Sequence, residues 1–426
     1  MDKIIKPIER LKGEIGLPGD KSISHRVILI GGISKGKTLG KNFLKAEDCM
    51  RTVSAFREMG IDIVIKDKNV TVNGNGLKGL RGPDRDLNLG NSGTTMRILP
   101  GILAGQGFRA TLTGDESLSK RPMERIIEPL QKMGVDIKSK KQNGFPPLVI
   151  KGGGVRNIEY RTNVASAQVK SCVLFAALHA EGISSVTEPL ISRDHTERML
   201  EFFGAEISKE KLTTFIKGRG NLEGREIFIP GDVSSASFFI AGACMLEGSD
   251  ITVRDVGLNP TRLGLLNVLS RMGASIAITE KKEKAEPYGD IRVKYATLKG
   301  VTVKKDEIPS LIDEVPVLAV LASRASGKMR IEGIAELRVK ETDRVFSVTT
   351  NLKKMGVSIS VDGDAMVIDG GKGRLKKADL ESFNDHRTAM SMALAGLYAD
   401  GECRLRDTDC VNTSFPEFFD ILEHLS

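Results

Sequence analysis

The chain holds 426 residues, of which 40% are apolar and 28% charged, and its formal net charge is +8. That length exceeds the size at which one core stops growing and favours two or three domains, while no apolar run approaches the ~20 residues of a membrane-spanning helix, which argues against a membrane role. The charge favours anionic partners, but aromatic residues make up only 5% with no Trp and the basic residues are dispersed, so small anions fit better than a nucleic-acid stacking surface.

Met1–Pro7 carries no apolar core followed by a small-residue cleavage site, so no secretory signal is read and a cytoplasmic location is expected. Next comes Pro18-Gly19-Asp20-Lys21-Ser22-Ile23-Ser24-His25-Arg26, in which turn formers and a capping Asp precede the apolar run Val27–Ile30. The spacing predicts a helix whose unsatisfied N–H groups, with Lys21 and Arg26, hold a phosphate or carboxylate. A plain capped surface helix would show the same nonapeptide. Phe56–Ile63 reads as helix, glycine, strand, and the phrase returns at Leu130–Ile137, Leu200–Ile207, Leu269–Ile276 and Leu352–Ile359. Its glycines, Gly60, Gly134, Gly204, Gly273 and Gly356, lie 74, 70, 69 and 83 residues apart. Each suits a left-handed helix C-cap before a strand with one buried face. A sixth helix, Phe418–Leu425, falls where the next copy would end. Asn73-Gly74-Asn75-Gly76 and Gly152-Gly153-Gly154 are expected to be loops between strands.

Repeats of about 70 residues are too long for solenoid units and point to compact α/β modules, three in each of two domains. Pro230-Gly231-Asp232-Val233-Ser234 echoes Pro18–Ser22 after 212 residues, without the cations. The halves therefore divide near Leu17 and Ile229, with 18–229 as one domain and 1–17 plus 230–426 as the other. The first strand is expected in the second domain, because it precedes the motif as Phe228-Ile229 precedes the echo. Each module also has a polar helix start: Asp20–Ser22, Asn91–Thr94 and Ser166–Gln168 in the first half, Asp232–Ser235, Asp313-Glu314 and Asn384–Arg387 in the second. Pseudo-symmetry would aim several of these helix mouths at one interdomain cleft suited to multiply charged anions.

Leu89–Arg97 offers free amides, and Gly93 lets a ligand approach the backbone. Gly114–Arg125 is a polar loop entering a helix with Pro122 in its first turn, either an exposed charged loop or one in which Arg121 could close over an anion. Ser166 and Gln168 could donate to phosphate or hydroxyls, and Arg193, opening a further helix, could add a phosphate contact. Asp313-Glu314 before Val317–Ala322 is ordinary charge complementarity at a helix start or, more sharply, places Asp313 as a general base. Arg338–Arg344 supplies three cations and two acids; helical spacing puts Lys340 and Arg344 on one face, which could equally be a solvated salt-bridge face. Asn384–Arg387 adds an arginine at the start of an Ala/Met-rich helix. Five cysteines without a C-x-x-C pair and five scattered histidines signal neither a disulfide framework nor a metal site.

Together these motifs resemble the enolpyruvylshikimate phosphate synthase family. Pro-Gly-Asp-Lys-Ser-Ile-Ser-His-Arg, Gly-Asn-Ser-Gly-Thr-Thr-Met-Arg, Lys-Arg-Pro-Met, Ser-Ala-Gln-Val-Lys-Ser, Arg-Val-Lys-Glu-Thr-Asp-Arg and Asp-His-Arg occur in the family's order across nearly the whole chain. Ser-His-Arg and Arg-Asp-His-Thr-Glu look like its second class. The resemblance implies an α/β fold, a two-domain inside-out α/β barrel (the enolpyruvyl transferase fold) with three βαβαββ repeats per domain. It implies transfer of the enolpyruvyl group of phosphoenolpyruvate to the 5-hydroxyl of shikimate 3-phosphate, through a tetrahedral intermediate, with release of phosphate. It also implies a place in chorismate and aromatic amino acid biosynthesis, no cofactor, no metal, no nucleic acid or membrane partner, and a monomer.

By motif position, Lys21, Arg121, Arg344 and Arg387 would surround phosphoenolpyruvate, with Gly93 against it. Ser22, Arg26, Ser166, Gln168 and Lys340 would hold the shikimate phosphate, with Thr94 and Arg193 also in the substrate site. Asp313 would take the hydroxyl proton, and Glu341 with Lys21 would handle protonation of the methylene carbon and the leaving phosphate. Two family contacts are not carried over, because Glu336 stands where many members have Asn and Thr413-Ser414 where they have Lys. The sister transferase acting on UDP-N-acetylglucosamine uses a loop cysteine, absent from Gly114–Arg125. RNA terminal-phosphate cyclase needs an adenylation-histidine motif that the chain lacks. A non-catalytic polyanion binder would not explain Asp313 and Glu341 among the cations.

Overall fold

Strands such as Asn69–Asn75 bury alternate residues, Val70 and Val72, and so have one buried face, whereas the helix Lys21–Ile33 buries every residue from Ile23 onward. A helix apolar on all sides belongs inside and a one-faced sheet outside. The computed structural model describes residues 1–281, 285–371 and 373–426, and they divide into two units. The first is Gly19–Ile229 with Ala285 and Glu286, which group apart from their neighbours in sequence; the second is Met1–Pro18 with 230–281 and 287–426.

The first unit holds three modules. One has α1 (Lys21–Ile33), the strand Lys35–Lys41, α2 (Glu47–Glu58) and the hairpin Asp62–Lys66 with Asn69–Asn75. The next has the strand Leu87–Asn88, α3 (Gly93–Leu103), the strand Arg109–Thr113, α4 (Glu124–Lys132) and two further strands, Asp136–Ser139 and Leu148–Lys151. The third has Glu159–Arg161, α5 (Ala167–Ala177), Ile183–Thr187, α6 (His195–Phe202) and the hairpin Ile207–Glu210 with Thr213–Lys217. In each sheet a parallel edge strand flanks the strand that follows the inner helix, and the last two strands add antiparallel. For the first module that edge strand is Glu226–Phe228, from the far end of the unit.

The second unit repeats the plan with α7 (Val233–Met245), α8 (Gly264–Met272), α9 (Val315–Arg324), α10 (Arg344–Lys354), α11 (His386–Leu397) and α12 (Phe418–Leu425). Lys12–Gly16 is the parallel edge strand beside Asp250–Gly257, and Lys3–Ile5 pairs antiparallel with Cys403–Arg406, where other modules have a hairpin. The strands that lead into α1 and α7 are thus exchanged between the units. The inner helices α1, α3, α5, α7, α9 and α11 are almost wholly buried. Outer helices bury a stripe, as α2 does with Cys49, Thr52, Val53 and Phe56. No helix among the described residues is long and apolar enough to cross a membrane.

Gly60, Gly134, Gly204, Gly273 and Gly356 all have positive φ, at 85°, 87°, 110°, 94° and 81°, as the helix-glycine-strand phrase requires. Asn73-Gly74-Asn75, however, is the end of a strand rather than a loop, and the turn is left to Gly76 at φ 82°. The composition misleads because Gly74 serves close approach: a Cβ there would lie 2.0 Å from the Gly31 carbonyl oxygen. Gly152, Gly218 and Gly370 meet the carbonyls of Gln106, Ala180 and Ala322 at 2.0, 2.1 and 2.1 Å in the same way. Four modules therefore seat a strand end on carbonyls at or just past the end of the inner helix, where no side chain fits.

Candidate functional site

The polar helix mouths form one set in each unit. In the first, Asp20 caps α1 by accepting from the Ile23 N–H at 2.9 Å, and a Cβ on Gly19 would lie 2.0 Å from the Asn42 carbonyl oxygen, so only glycine fits before the cap. Lys21 lies 3.2 Å from Asp48 on α2. Arg26 is only 3% exposed; it donates from Nε to Thr196 Oγ1 at 2.7 Å, from Nη2 to Ser171 Oγ at 3.0 Å and from Nη1 to the Ser22 carbonyl at 2.9 Å. Burial lowers its pKa to about 10.

Ser92 caps α3 and Ser166 caps α5, each accepting from an N–H at 3.4 Å. The two mouths are tied by Gln168, which donates to Thr94 Oγ1 at 3.2 Å and accepts from Arg97 at 2.9 Å. Arg121 is buried and donates to Asn91 Oδ1 at 2.5 Å and Ser117 Oγ at 3.3 Å. A Cβ on Gly93 would stand 3.0 Å from Arg121 Nη1, so glycine leaves room at this mouth. Arg193, just before α6, is near enough to oppose the charge of Arg26. Behind the mouths His25 Nδ1 bonds Thr52 Oγ1 at 2.7 Å, Thr52 bonds Thr95 at 2.6 Å and Thr95 bonds Ser92 at 2.8 Å. Burial, reinforced by Lys21 and Arg26, lowers the His25 pKa to about 3, so the ring is neutral.

In the second unit Asp232 caps α7 through the Ser234 N–H at 2.8 Å. Arg262 supplies the cation that the echo motif lacks, donating to Ser234 Oγ at 2.6 Å and Asp232 Oδ1 at 3.3 Å. Ser234 donates in turn to Glu314, a buried carboxylate at the start of α9 that lies 3.9 Å from Arg387 Nη1. Arg344, the first residue of α10, donates from Nε to Asp385 at 2.9 Å, from Nη1 to Asp313 at 3.2 Å and from Nη2 to Glu341 at 2.7 Å. Burial alone would lower its pKa, but the carboxylates of Asp385, Glu341 and Asp313 outweigh it and hold the guanidinium well above the ordinary arginine value. Asp385 also caps α11 at the Thr388 N–H, 2.8 Å away.

The fold thus brings together Ser22 with Arg26, Gly93 with Arg121, Thr94 with Gln168, and Asp313 with Glu341 on Arg344. Two local expectations fail. Lys340 and Arg344 do not share a helical face, because a short 3-10 turn, Ala335–Val339, ends at Lys340 and Asp343 starts a new helix by accepting from the Phe346 N–H at 3.0 Å. Pro122 lies before α4 rather than in its first turn; Arg121, which precedes it, is extended at φ −92° and ψ 132°, since a residue before proline avoids the helical region. Asp48, Ser171, Thr196 and Arg262 were missed as partners: Asp48 and Arg262 lie in no quoted motif, while Ser171 and Thr196 lie inside Ser-Ala-Gln-Val-Lys-Ser and Arg-Asp-His-Thr-Glu, where nothing local ties them to Arg26. Among the described residues no group of three or more His, Cys, Asp or Glu side chains is arranged to hold a metal.

The family model described as EPSP synthase (3-phosphoshikimate 1-carboxyvinyltransferase) matches residues 5–422. The chain belongs to the EPSP synthase family. Among relatives, the 3-phosphoshikimate 1-carboxyvinyltransferase of Desulforamulus reducens is 48% identical over 427 residues, covering 100% of this chain and 99% of that one. The protein of the same name from Bacillus velezensis is 46% identical over 98% of each. A solved EPSP synthase structure from Acinetobacter baumannii matches with a TM-score of 0.91 at 43% identity, covering 100% of this chain and 98% of that one. This EPSP synthase family chain therefore has the two-domain enolpyruvyl transferase fold, with its inner helices and outer sheets.

Proposed function

We propose that the chain transfers the enolpyruvyl group of phosphoenolpyruvate to the 5-hydroxyl of shikimate 3-phosphate and releases phosphate. The observation that carries this reading is the placement of Asp313 and Glu341 on one guanidinium, at 3.2 and 2.7 Å from Arg344 nitrogens, in a family named for that reaction. Addition needs a base to take the hydroxyl proton while the oxygen attacks C2 of the enol, and an acid to deliver a proton to the methylene carbon. Elimination then returns that carbon proton and expels phosphate, restoring the double bond on the transferred group. Asp313 is the base; Glu341 and Lys21 serve the carbon proton and the departing phosphate. Lys21, Arg121, Arg344 and Arg387, with Gly93 leaving space, meet phosphoenolpyruvate, where fixed cations stabilise the charge that gathers on the leaving group. Ser22, Arg26, Thr94, Ser166, Gln168, Arg193 and Lys340 hold the shikimate phosphate and its ring substituents.

The coupled test is release of phosphate from phosphoenolpyruvate, expected only when shikimate 3-phosphate is present. Release with UDP-N-acetylglucosamine in its place would transfer the chain to the sister activity. The enzyme is read as a cytoplasmic monomer, for which light scattering should return the chain mass of 46.2 kDa and not a multiple of it.

A further inference from the structure

Arg26 is a buried cation without a counter-ion. Its guanidinium contacts are Thr196, Ser171 and the Ser22 carbonyl, all neutral, and among the described residues no carboxylate lies within ion-pair distance. Leaving a buried charge unpaired is costly, so the arrangement needs a reason. Three acids are close enough to act on it through space, Glu197, Asp20 and Glu286, and each is engaged elsewhere. Glu197 lies 2.8 Å from Lys170 Nζ, which also meets Glu188 at 2.6 Å. Asp20 caps α1, and Glu286 bonds His195 Nδ1 at 2.7 Å. Lys170 is 1% exposed, and the acids Glu188 and Glu197 lie in the same buried layer.

Adjacent residues divide the work. On α5, Lys170 takes the acids and Ser171 takes Arg26; on α6, Glu197 takes the lysine and Thr196 takes Arg26. The two hydroxyls are bonded to each other at 2.6 Å, which fixes both acceptors against the fork. Carboxylates could have held the guanidinium as firmly, as Asp385 holds Arg344 at 2.9 Å, but they would have cancelled its charge. Burial has already weakened the proton affinity of Arg26 to a pKa of about 10, as expected for a cation lacking compensation.

We infer that Ser171 and Thr196 are positioning residues that orient Arg26 through neutral acceptors, while Lys170 keeps Glu188 and Glu197 from neutralising it, so that an anionic group of the substrate becomes its counter-ion. The inference rests on shikimate 3-phosphate being that substrate.

The test is steady-state kinetics with each substrate varied separately, together with calorimetric titration of shikimate 3-phosphate. Ser171→Ala and Thr196→Val should each raise KM for shikimate 3-phosphate about tenfold, the effect of one lost hydrogen bond to a charged group. KM for phosphoenolpyruvate should stay within about twofold. Thr196→Ser should recover the shikimate 3-phosphate KM. Lys170→Met should raise it further, and Lys170→Met with Glu197→Gln should bring it part of the way back. If the Lys170 variants do not fold, Ser171→Ala, which removes one oxygen, still decides. An unchanged KM for shikimate 3-phosphate in that variant, or equal changes in both KM values, overturns the inference. An unaltered chain that neither binds nor turns over shikimate 3-phosphate overturns the underlying reading; an active one whose variants keep its KM overturns this inference alone.

Discussion

At the mouth of α1 the buried Arg26 is held by two hydroxyls and a carbonyl, whereas at the mouth of α10 the equally buried Arg344 is held by three carboxylates. Arg26 lies in the second turn of an inner helix and Arg344 opens an outer one, but both are buried, so burial does not distinguish them. The difference lies in who supplies the opposite charge. In the first unit the protein leaves that to a ligand, which suits a site that binds an anion. In the second unit acids already stand beside the cation proposed to meet phosphoenolpyruvate, which suits a site that moves protons as well as binding an anion. The echo motif follows the same division: Arg262 approaches Asp232 as well as Ser234, and Glu314 stands beside Arg387.

The largest expected effect tests the proton-moving half. Asp313→Asn should lower turnover by on the order of 10³-fold, the usual scale for a lost general base, with an unchanged thermal transition; a rate within tenfold would break the comparison. The next tests charge pairing directly. Arg344→Met takes the shared buried cation from three carboxylates and should lower stability in a urea titration by roughly 3–5 kcal/mol, whereas Arg26→Met removes a cation with no carboxylate partner and should cost less than about 1 kcal/mol. Similar losses for both would mean that Arg26 is compensated after all.

A third prediction concerns acid. His25 stays neutral when folded, with its pKa lowered to about 3 by burial and the neighbouring cations, while unfolded histidine titrates near 6.5. Below about pH 6.5 the unfolded chain binds a proton that the folded chain refuses, so stability falls as pH falls, down to about pH 3, by up to ~1.4 kcal/mol per pH unit. Burial likewise lowers His179, in the same unit, to about 4. Urea midpoints between pH 7 and pH 4 should therefore drop less steeply in His25→Asn than in the unaltered chain. The smallest effect belongs to Gly93→Ala, whose new methyl would press on Arg121 Nη1 from 3.0 Å. A rise of several-fold in KM for phosphoenolpyruvate, roughly 1 kcal/mol, is expected if Arg121 yields a little, with KM for shikimate 3-phosphate steady.

Much of the repeat was legible because it is written locally. A glycine after a helix must adopt positive φ, and five of them at similar spacing mark the modules. The helix mouths were legible for the same reason, since each cap and the N–H it satisfies lie within three residues. What could not be read depends on packing across long separations. Thr196 lies 170 residues from Arg26, and Glu314 lies 80 from Ser234, so neither pairing leaves a local pattern. Gly74 failed differently: its neighbours have turn composition, but the constraint on it comes from the Gly31 carbonyl rather than from its own φ. The Arg338–Arg344 stretch misled because its charge spacing suits a helix, while Asp343 is a strong cap that starts a new one.

The exchange of strands also sets an order in time. Once Glu226–Phe228 has been made, the sheets of the first unit are complete, yet Lys3–Ile5 must still wait for Cys403–Arg406. At about 5–20 residues per second, that wait during synthesis is on the order of tens of seconds. Short strands flanked by Lys3, Lys6, Pro7 and Lys12 make poor templates for other edges, and that is the property a segment needs when it is born long before its partner.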